Sequence, residues 1–311
     1  MITGIVSLQL MQFFMNVDSV SGTFGTMKKI AQIMDTDSEP DGGEPVPEVC
    51  ADIEFDNVSF AYAGGQDVIK NLSVKIPMGK VTAVIGGNGA GKSTLLNAVA
   101  GVWPVDSGSI LIDGEDVTGM PEYKRAKYIG RVFQDPMMGT APNMQIEENL
   151  ALAYRRGRKR GLKWGVTNAE REIYREKLAT LGLGLEDRLT AKVGLLSGGQ
   201  RQALTLLMAS LQTPKLLLLD EHTAALDPGT AKKVLELSDK IISDNKLTAL
   251  MITHNMTDAI RHGNRLIMMD RGKIVLDISG EEKSRLTKAD LLERFAEKTG
   301  VQEETDSVLL S

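Results

Sequence analysis

The chain is poor in cysteine. Only Cys50 occurs in 311 residues, so no disulfide can form within it, which fits a reducing compartment. It carries no surplus of positive charge. At −5 it offers no electrostatic reason to expect nucleic acid as a main partner. It has no unbroken apolar run of the ~20 residues that a complete membrane-spanning helix needs. The nearest approach, Ile2 to Val17, is interrupted by Gln9, Gln12 and Asn16. No basic residue precedes Lys28, so this stretch is a poor secretory signal. Two readings of it stay open. One is an amphipathic helix on the protein's own surface. The other is the last part of a membrane helix, with Lys28 and Lys29 on its cytoplasmic exit side. There is no internal repeat. What remains, 42% hydrophobic and 25% charged, fits a folded globular protein of one large domain or two smaller ones.

One stretch organises the rest: Gly86-Gly87-Asn88-Gly89-Ala90-Gly91-Lys92-Ser93-Thr94. It follows an apolar run, Val81 to Ile85, with the character of a buried strand, and it precedes Leu95 to Ala100, the first turns of a helix. Strand, glycine-rich loop and helix form the context of a phosphate-binding loop, and Gly86, Gly91, Lys92 and Ser93 meet its spacing. Glycines allow successive N–H groups to converge on one anion, and the helix N-terminus adds a positive dipole end. Lys92 supplies a point charge to the β- and γ-phosphates, and Ser93 a hydroxyl to Mg²⁺. The alternative is a glycine-rich turn between core elements.

Taken in order, Asp35 to Pro47 is acidic and rich in Pro and Gly, which predicts a linker. Ile53 to Tyr62 alternates with period two, as a half-exposed strand does, and Leu72 to Ile76 repeats the pattern. Further strands are predicted at Ser109–Ile112 and Ile129–Phe133, the latter ending at Gln134. Ile146 to Leu181 is mostly helix-forming. It contains a basic cluster of Arg155, Arg156, Arg158, Lys159, Arg160 and Lys163, either a solvated face or a contact for lipid headgroups or an acidic partner. A helix is predicted at Arg201–Leu211. Leu216-Leu217-Leu218-Leu219-Asp220-Glu221 is a strand buried on both faces, with two acids at its C-terminal edge, where open α/β sheets bind ligands. Ala231–Ser243 is helical in pattern, and Thr248–Thr253 is another buried strand ending at His254. A hairpin turns at Arg271-Gly272. Thr287 caps a last helix with Leu291, Leu292 and Phe295 on one face, and Val301–Ser311 frays.

The phosphate loop, Gln134, Leu196-Ser197-Gly198-Gly199-Gln200, Asp220-Glu221, Ala225-Leu226-Asp227 and His254 occur in one order. That series resembles the ATP-binding cassette (ABC) family of ATPases over roughly Asp52 to Asp277, and the Leu-Ser-Gly-Gly-Gln pentapeptide is its most specific element. The resemblance implies an α/β fold: a phosphate-loop NTPase core of mostly parallel sheet, an antiparallel β subdomain and an inserted α-helical subdomain. It divides the chain into 1–50 (apolar helix and acidic linker), 51–280 (ATPase domain, helical subdomain about 135–200) and 281–311 (C-terminal helix and tail). It implies ATP and Mg²⁺ as ligands. Asp220, with Ser93 and Gln134, holds Mg²⁺, Glu221 polarises the attacking water, and His254 touches the γ-phosphate. Tyr62 stacks on adenine, or else is a strand-face tyrosine of the core. Ser197, Gly198, Gly199 and Gln200 cap ATP bound to a second cassette, and Asp227 lines that interface. Asp220-Glu221 could instead be a strand exit meeting water, and a lone His254 could be structural.

In this family the signature does not serve its own phosphate loop, so the resemblance implies a homodimer or heterodimer of cassettes. ATP closes the pair and hydrolysis opens it, driving a membrane permease domain. Such a subunit is peripheral on the cytoplasmic face of the membrane, and uptake systems add a substrate-binding protein. Met1 to about Val84 is similar to a half-exporter. From about Asn88 onward the chain is similar to uptake cassettes. Gln134–Thr140 and Glu221–Pro228 are similar to those of amino-acid-type systems, with aromatic amino acids as the narrower reading. His222 stands where most cassettes have Pro or Ser. A recombinant or truncated gene would explain the mixture and would put a seam near the phosphate loop. The competing functions are a truncated half-exporter cassette and a soluble, non-transport ABC ATPase.

Overall fold

The computed structural model describes residues 52–157 and 165–299. Strands β1 (Ile53–Ala61) and β2 (Asp67–Ile76) lead into β3 (Val81–Ile85), α1 (Lys92–Ala100), β4 (Ser107–Ile112), β5 (Glu115–Asp116), α2 (Glu122–Arg125) and β6 (Ile129–Val132). Two helices follow, α3 (Ile146–Tyr154) and α4 (Asn168–Ala179). Then come α5 (Gly198–Ser210), β7 (Leu216–Asp220), α6 (Pro228–Asp244), β8 (Ala249–Ile252), α7 (Met256–His262), β9 (Arg265–Asp270), β10 (Lys273–Ser279), α8 (Gly280–Ser284) and α9 (Lys288–Thr299).

The strands form two sheets. One is antiparallel, in the order β2-β1-β4-β5; the other has six strands, in the order β10-β9-β3-β8-β7-β6. In the second, β9, β3, β8, β7 and β6 run parallel, and only β10 is antiparallel to its neighbour. This is the α/β architecture expected from the sequence. In β1 the inward residues are Ile53, Phe55, Val58 and Phe60, so the period of two slips by one between Phe55 and Val58. A register shift occurs there against β2, and Asn57 sits at φ 49, as a bulge requires.

The parallel strands carry little alternation because both faces are covered. In β7, Leu217 and Leu219 enter one core cluster with α5 and α6, while Leu216 and Leu218 enter the other with α1 and the antiparallel sheet. All four are fully buried. Truncating any one to Ala should cost about 2–5 kcal/mol. The same division runs through β3, where Ala83 and Ile85 face one cluster and Val84 the other. Strand β3 pairs in register with both β8 and β9 and runs without irregularity into the phosphate loop, so the loop fits the sheet.

The basic cluster is corrected in part. Arg155 donates two hydrogen bonds to Glu170, at 2.8 and 3.0 Å, and Arg156 donates to the Ala209 carbonyl at 3.2 Å. Both are half-buried, so neither belongs to a solvated run or offers itself to a lipid headgroup. Arg158, Lys159, Arg160 and Lys163 lie outside the described residues, as do Ile2–Val17, the acidic linker, Cys50 and Val301–Ser311. Helix α9 starts as expected: the Thr287 hydroxyl accepts from the Asp290 N–H at 3.2 Å, and Leu291 and Phe295 are buried. Among the described residues no helix is long and apolar enough to cross a membrane.

Candidate functional site

The phosphate loop leaves β3 at Gly86 and enters α1 at Lys92. Its glycines are required by close approach. A Cβ on Gly86 would lie 2.2 Å from the Met269 carbonyl oxygen, and one on Gly91 2.9 Å from that of Val68. Both residues also have positive φ, 152° and 97°. Gly91 is the N-cap of α1, so no side chain caps the first turn, and that turn contains no acidic residue. Its N–H groups therefore have no side-chain acceptor of their own, which suits an incoming anion. Lys92 is 5% exposed, and its Nζ donates to the carbonyls of Gly86 (2.7 Å) and Gly87 (3.0 Å). Burial pulls its pKa below the ordinary value, opposed by the charge of Glu221. A buried cation whose hydrogen bonds among the described residues go to two carbonyls, in an uncapped helix mouth, fits a phosphate chain. Gly87 and Ala90 are buried, while Asn88, Gly89 and Ser93 are exposed at the rim.

Thr94 is buried, and its Oγ1 lies 3.1 Å from the Tyr62 hydroxyl. Tyr62 is 45% exposed. Its ring meets Phe60 (5.0 Å) and Trp103 (5.7 Å) edge-on, so the aromatic group stands over the start of α1. One aromatic was expected here, and three are present.

The two acids lie at the end of β7. Asp220 Oδ2 accepts from Arg131 Nη2 at 3.3 Å, and Arg131 Cζ lies 4.6 Å from the centroid of the Phe133 ring. Arg131 was missed from the sequence; a basic residue inside an otherwise apolar strand was the available signal. Asp220, Ser93 and Gln134 can each offer an oxygen, from a carboxylate, a hydroxyl and an amide carbonyl, which suits Mg²⁺. Gln134 is exposed just beyond β6. Glu221 has φ 45, its N–H donates to the Ile252 carbonyl at 3.0 Å, and its Oε1 is 2.6 Å from His254 Nε2. A carboxylate and an imidazole, distant in sequence, are thus in direct contact.

The signature lies at the start of α5. Ser197 is its N-cap and forms a capping box with Gln200: its Oγ accepts the Gln200 N–H at 3.3 Å, and the Gln200 side chain accepts the Ser197 N–H at 3.2 Å. Ser197 and Gly198 are exposed, while Gly199 is buried against α6. Built Cβ atoms would lie 3.3 Å from Leu226 Cδ2 at Gly198 and 2.2 Å from Thr230 Cγ2 at Gly199. Asp227 is the exposed N-cap of α6. Hydrogen bonds from Thr230 hold its carboxyl below the ordinary range. The phosphate loop packs on the β9–β10 turn and β2, whereas the signature packs on residues 226–230.

The ABC transporter family matches residues 69–224. The chain is 46% identical over 234 residues to the tyrosine transport ATP-binding protein of Clostridioides difficile (strain R20291), covering 75% of this chain and 93% of that one. It is 35% identical over 233 residues to the thiamine import ATP-binding protein ThiQ of Chelativorans sp. (strain BNC1), covering 75% and 89%. Among solved structures, the cassette MJ0796, a dimer in a post-hydrolysis state bound to ADP and Pi, superposes with a TM-score of 0.63 at 28% identity, covering 73% of this chain and 98% of that one. The chain belongs to the ABC transporter family, as an ATP-binding and ATP-hydrolysing subunit.

Proposed function

We propose that the chain drives uptake of an amino acid, an aromatic one in the narrower reading, through a partner permease fed by a substrate-binding protein. Its likeness to a tyrosine transport subunit supports the substrate class. The observation that carries the catalytic reading is the 2.6 Å contact of Glu221 with His254, at the edge where Lys92 closes the phosphate loop.

In this reading the α1 N-terminus and Lys92 bind the phosphates, and Tyr62 supports the adenine with its exposed ring. Mg²⁺, when bound, would be held by Ser93, Asp220 and Gln134 and would supply charge neutralisation on the phosphate oxygens. Glu221 orients and deprotonates the attacking water, and His254 fixes the carboxylate and reaches the γ-phosphate. Ser197, Gly198, Gly199 and Gln200 form the cap that this chain offers to ATP on a second cassette, and Asp227 lines that junction. The active unit is then two cassettes on the cytoplasmic face of the permease.

Glu221→Gln should retain ATP, trap a dimer on size exclusion, and lower hydrolysis by orders of magnitude. Turnover at the wild-type rate would remove Glu221 as the base. Labelled tyrosine uptake by vesicles carrying the permease and binding protein tests the substrate, and transport indifferent to this subunit would remove it.

A further inference from the structure

Glu221 is a non-glycine residue in the left-handed region, a conformation that persists only where the surroundings enforce it. Its N–H is held by Ile252, its carbonyl accepts from the Ala224 N–H at 2.9 Å, and its carboxylate meets His254. The next residue supplies a further restraint. His222 is 2% exposed, and its Nε2 lies 3.0 Å from the Ser238 hydroxyl, in the middle of α6. That hydroxyl donates its single proton to the Val234 carbonyl at 2.8 Å. Its oxygen is therefore the acceptor, and His222 is the donor through Nε2–H. Burial favours the neutral imidazole, and this bond then fixes it in the Nε2–H tautomer, fully enclosed.

The topology gives this bond its reach. The segment that starts at Glu221 ends at Asp227, the N-cap of α6. The bond from His222 to Ser238 closes that segment back onto the helix it leads into. We propose that His222 is a positioning residue for Glu221: anchored to Ser238, it fixes the left-handed turn that aims the Glu221 carboxylate at His254, and it makes that aim depend on α6. The proposal rests on Glu221 being the base.

The test compares Ser238→Ala, His222→Ala and His222→Gln by kcat, KM for ATP and melting temperature. It then repeats Ser238→Ala on the Glu221→Gln background in single-turnover assays with labelled ATP. Ser238→Ala removes the acceptor and should lower kcat about ten- to a hundredfold while leaving KM and nucleotide binding unchanged. His222→Gln, which keeps an N–H donor, should recover most of the rate that His222→Ala loses. On the Glu221→Gln background, Ser238→Ala should change the residual rate less than about twofold, since the group it positions is already gone. Equal losses on both backgrounds, or a wild-type kcat for Ser238→Ala, would overturn the proposal. If His222→Ala fails to fold, Ser238→Ala decides alone. A Glu221→Gln protein of undiminished rate would instead remove the base itself and leave the anchor without a catalytic object.

Discussion

Gly199 offers a direct test of why the signature contains glycine. An added Cβ would lie 2.2 Å from Thr230 Cγ2, well inside the ~3.5–4.0 Å of ordinary carbon contact. The clash is with the chain's own α6. Gly199→Ala must therefore push α5 from α6 or force Thr230 off its rotamer, an overpacking cost of about 1–3 kcal/mol. Alanine returns up to about 1 kcal/mol in helix propensity, so the net loss should lie between about 0 and 3 kcal/mol. Thr230→Ser deletes Cγ2 and nothing else. The double variant should then be at least as stable as wild type, with a favourable coupling of about 1–3 kcal/mol between the two sites. Urea denaturation followed by circular dichroism measures the cycle, and ATPase activity is read on the same four proteins. The backbone N–H of residue 199 survives in alanine, so the double variant should also recover hydrolysis. A double variant that is stable yet inactive would refute the reasoning and place the glycine requirement on the nucleotide side.

Three further outcomes follow from the buried polar groups. Burial, with His262 nearby, lowers the His222 pKa from its ordinary 6.5 to about 4, so below pH 6.5 the unfolded chain takes up a proton that the folded chain refuses. Stability should fall by about 3 kcal/mol as pH drops from 6.5 to 4, relative to His222→Gln, and parallel pH–stability curves would rule this out. Arg125, 1% exposed, donates to the carbonyls of Ala98, Val99, Thr118 and Met120 at 2.7–2.9 Å, two of them in the last turn of α1. Arg125→Met should cost about 3–5 kcal/mol by calorimetry or urea titration, because it strands buried acceptors beneath the phosphate-loop helix. The Tyr174 hydroxyl is buried without a hydrogen-bond partner among the described residues, so Tyr174→Phe should be neutral or stabilising by about 1 kcal/mol, and a loss above that would point to a hidden partner.

The sequence was most legible where backbone geometry dictates residue type. Gly86 and Gly91 are glycine because carbonyls of β9 and β2 stand in the way, and the four leucines of β7 are apolar because both faces of the strand are covered. Helix starts were less legible. Helix α5 begins at Gly198 and α6 at Pro228, each about one turn before its apolar pattern, because Ser197 and Asp227 act as N-caps. The Ser-x-x-Gln spacing and the proline at N1 were the available signals. Contacts between distant residues were least legible. The acceptors that occupy Arg155 and Arg156 lie 15 and 53 residues away, so a local run of charge looked solvated. Arg131 pairs with Asp220 across 89 residues, and only the parallel pairing of β6 with β7 brings them together.

Helix α6 joins the two halves of this chemistry. Its first turn carries Asp227 and Thr230, and Thr230 sets how closely the signature of α5 can approach. Its middle carries Ser238, which holds the residue next to Glu221. Gln202 on α5 donates to the Phe133 carbonyl at 3.0 Å, immediately before Gln134, so the signature helix is tied to that loop as well. A shift of α5 against α6 cannot then be local. It must move Ser197 to Gln200, and through His222 and Phe133 it must strain the turns that carry Glu221 and Gln134. If closure on a second cassette presses on Ser197 and Asp227, as proposed above, it would act on Glu221 through contacts already present in the single chain. That is the arrangement required if hydrolysis is to wait for the partner.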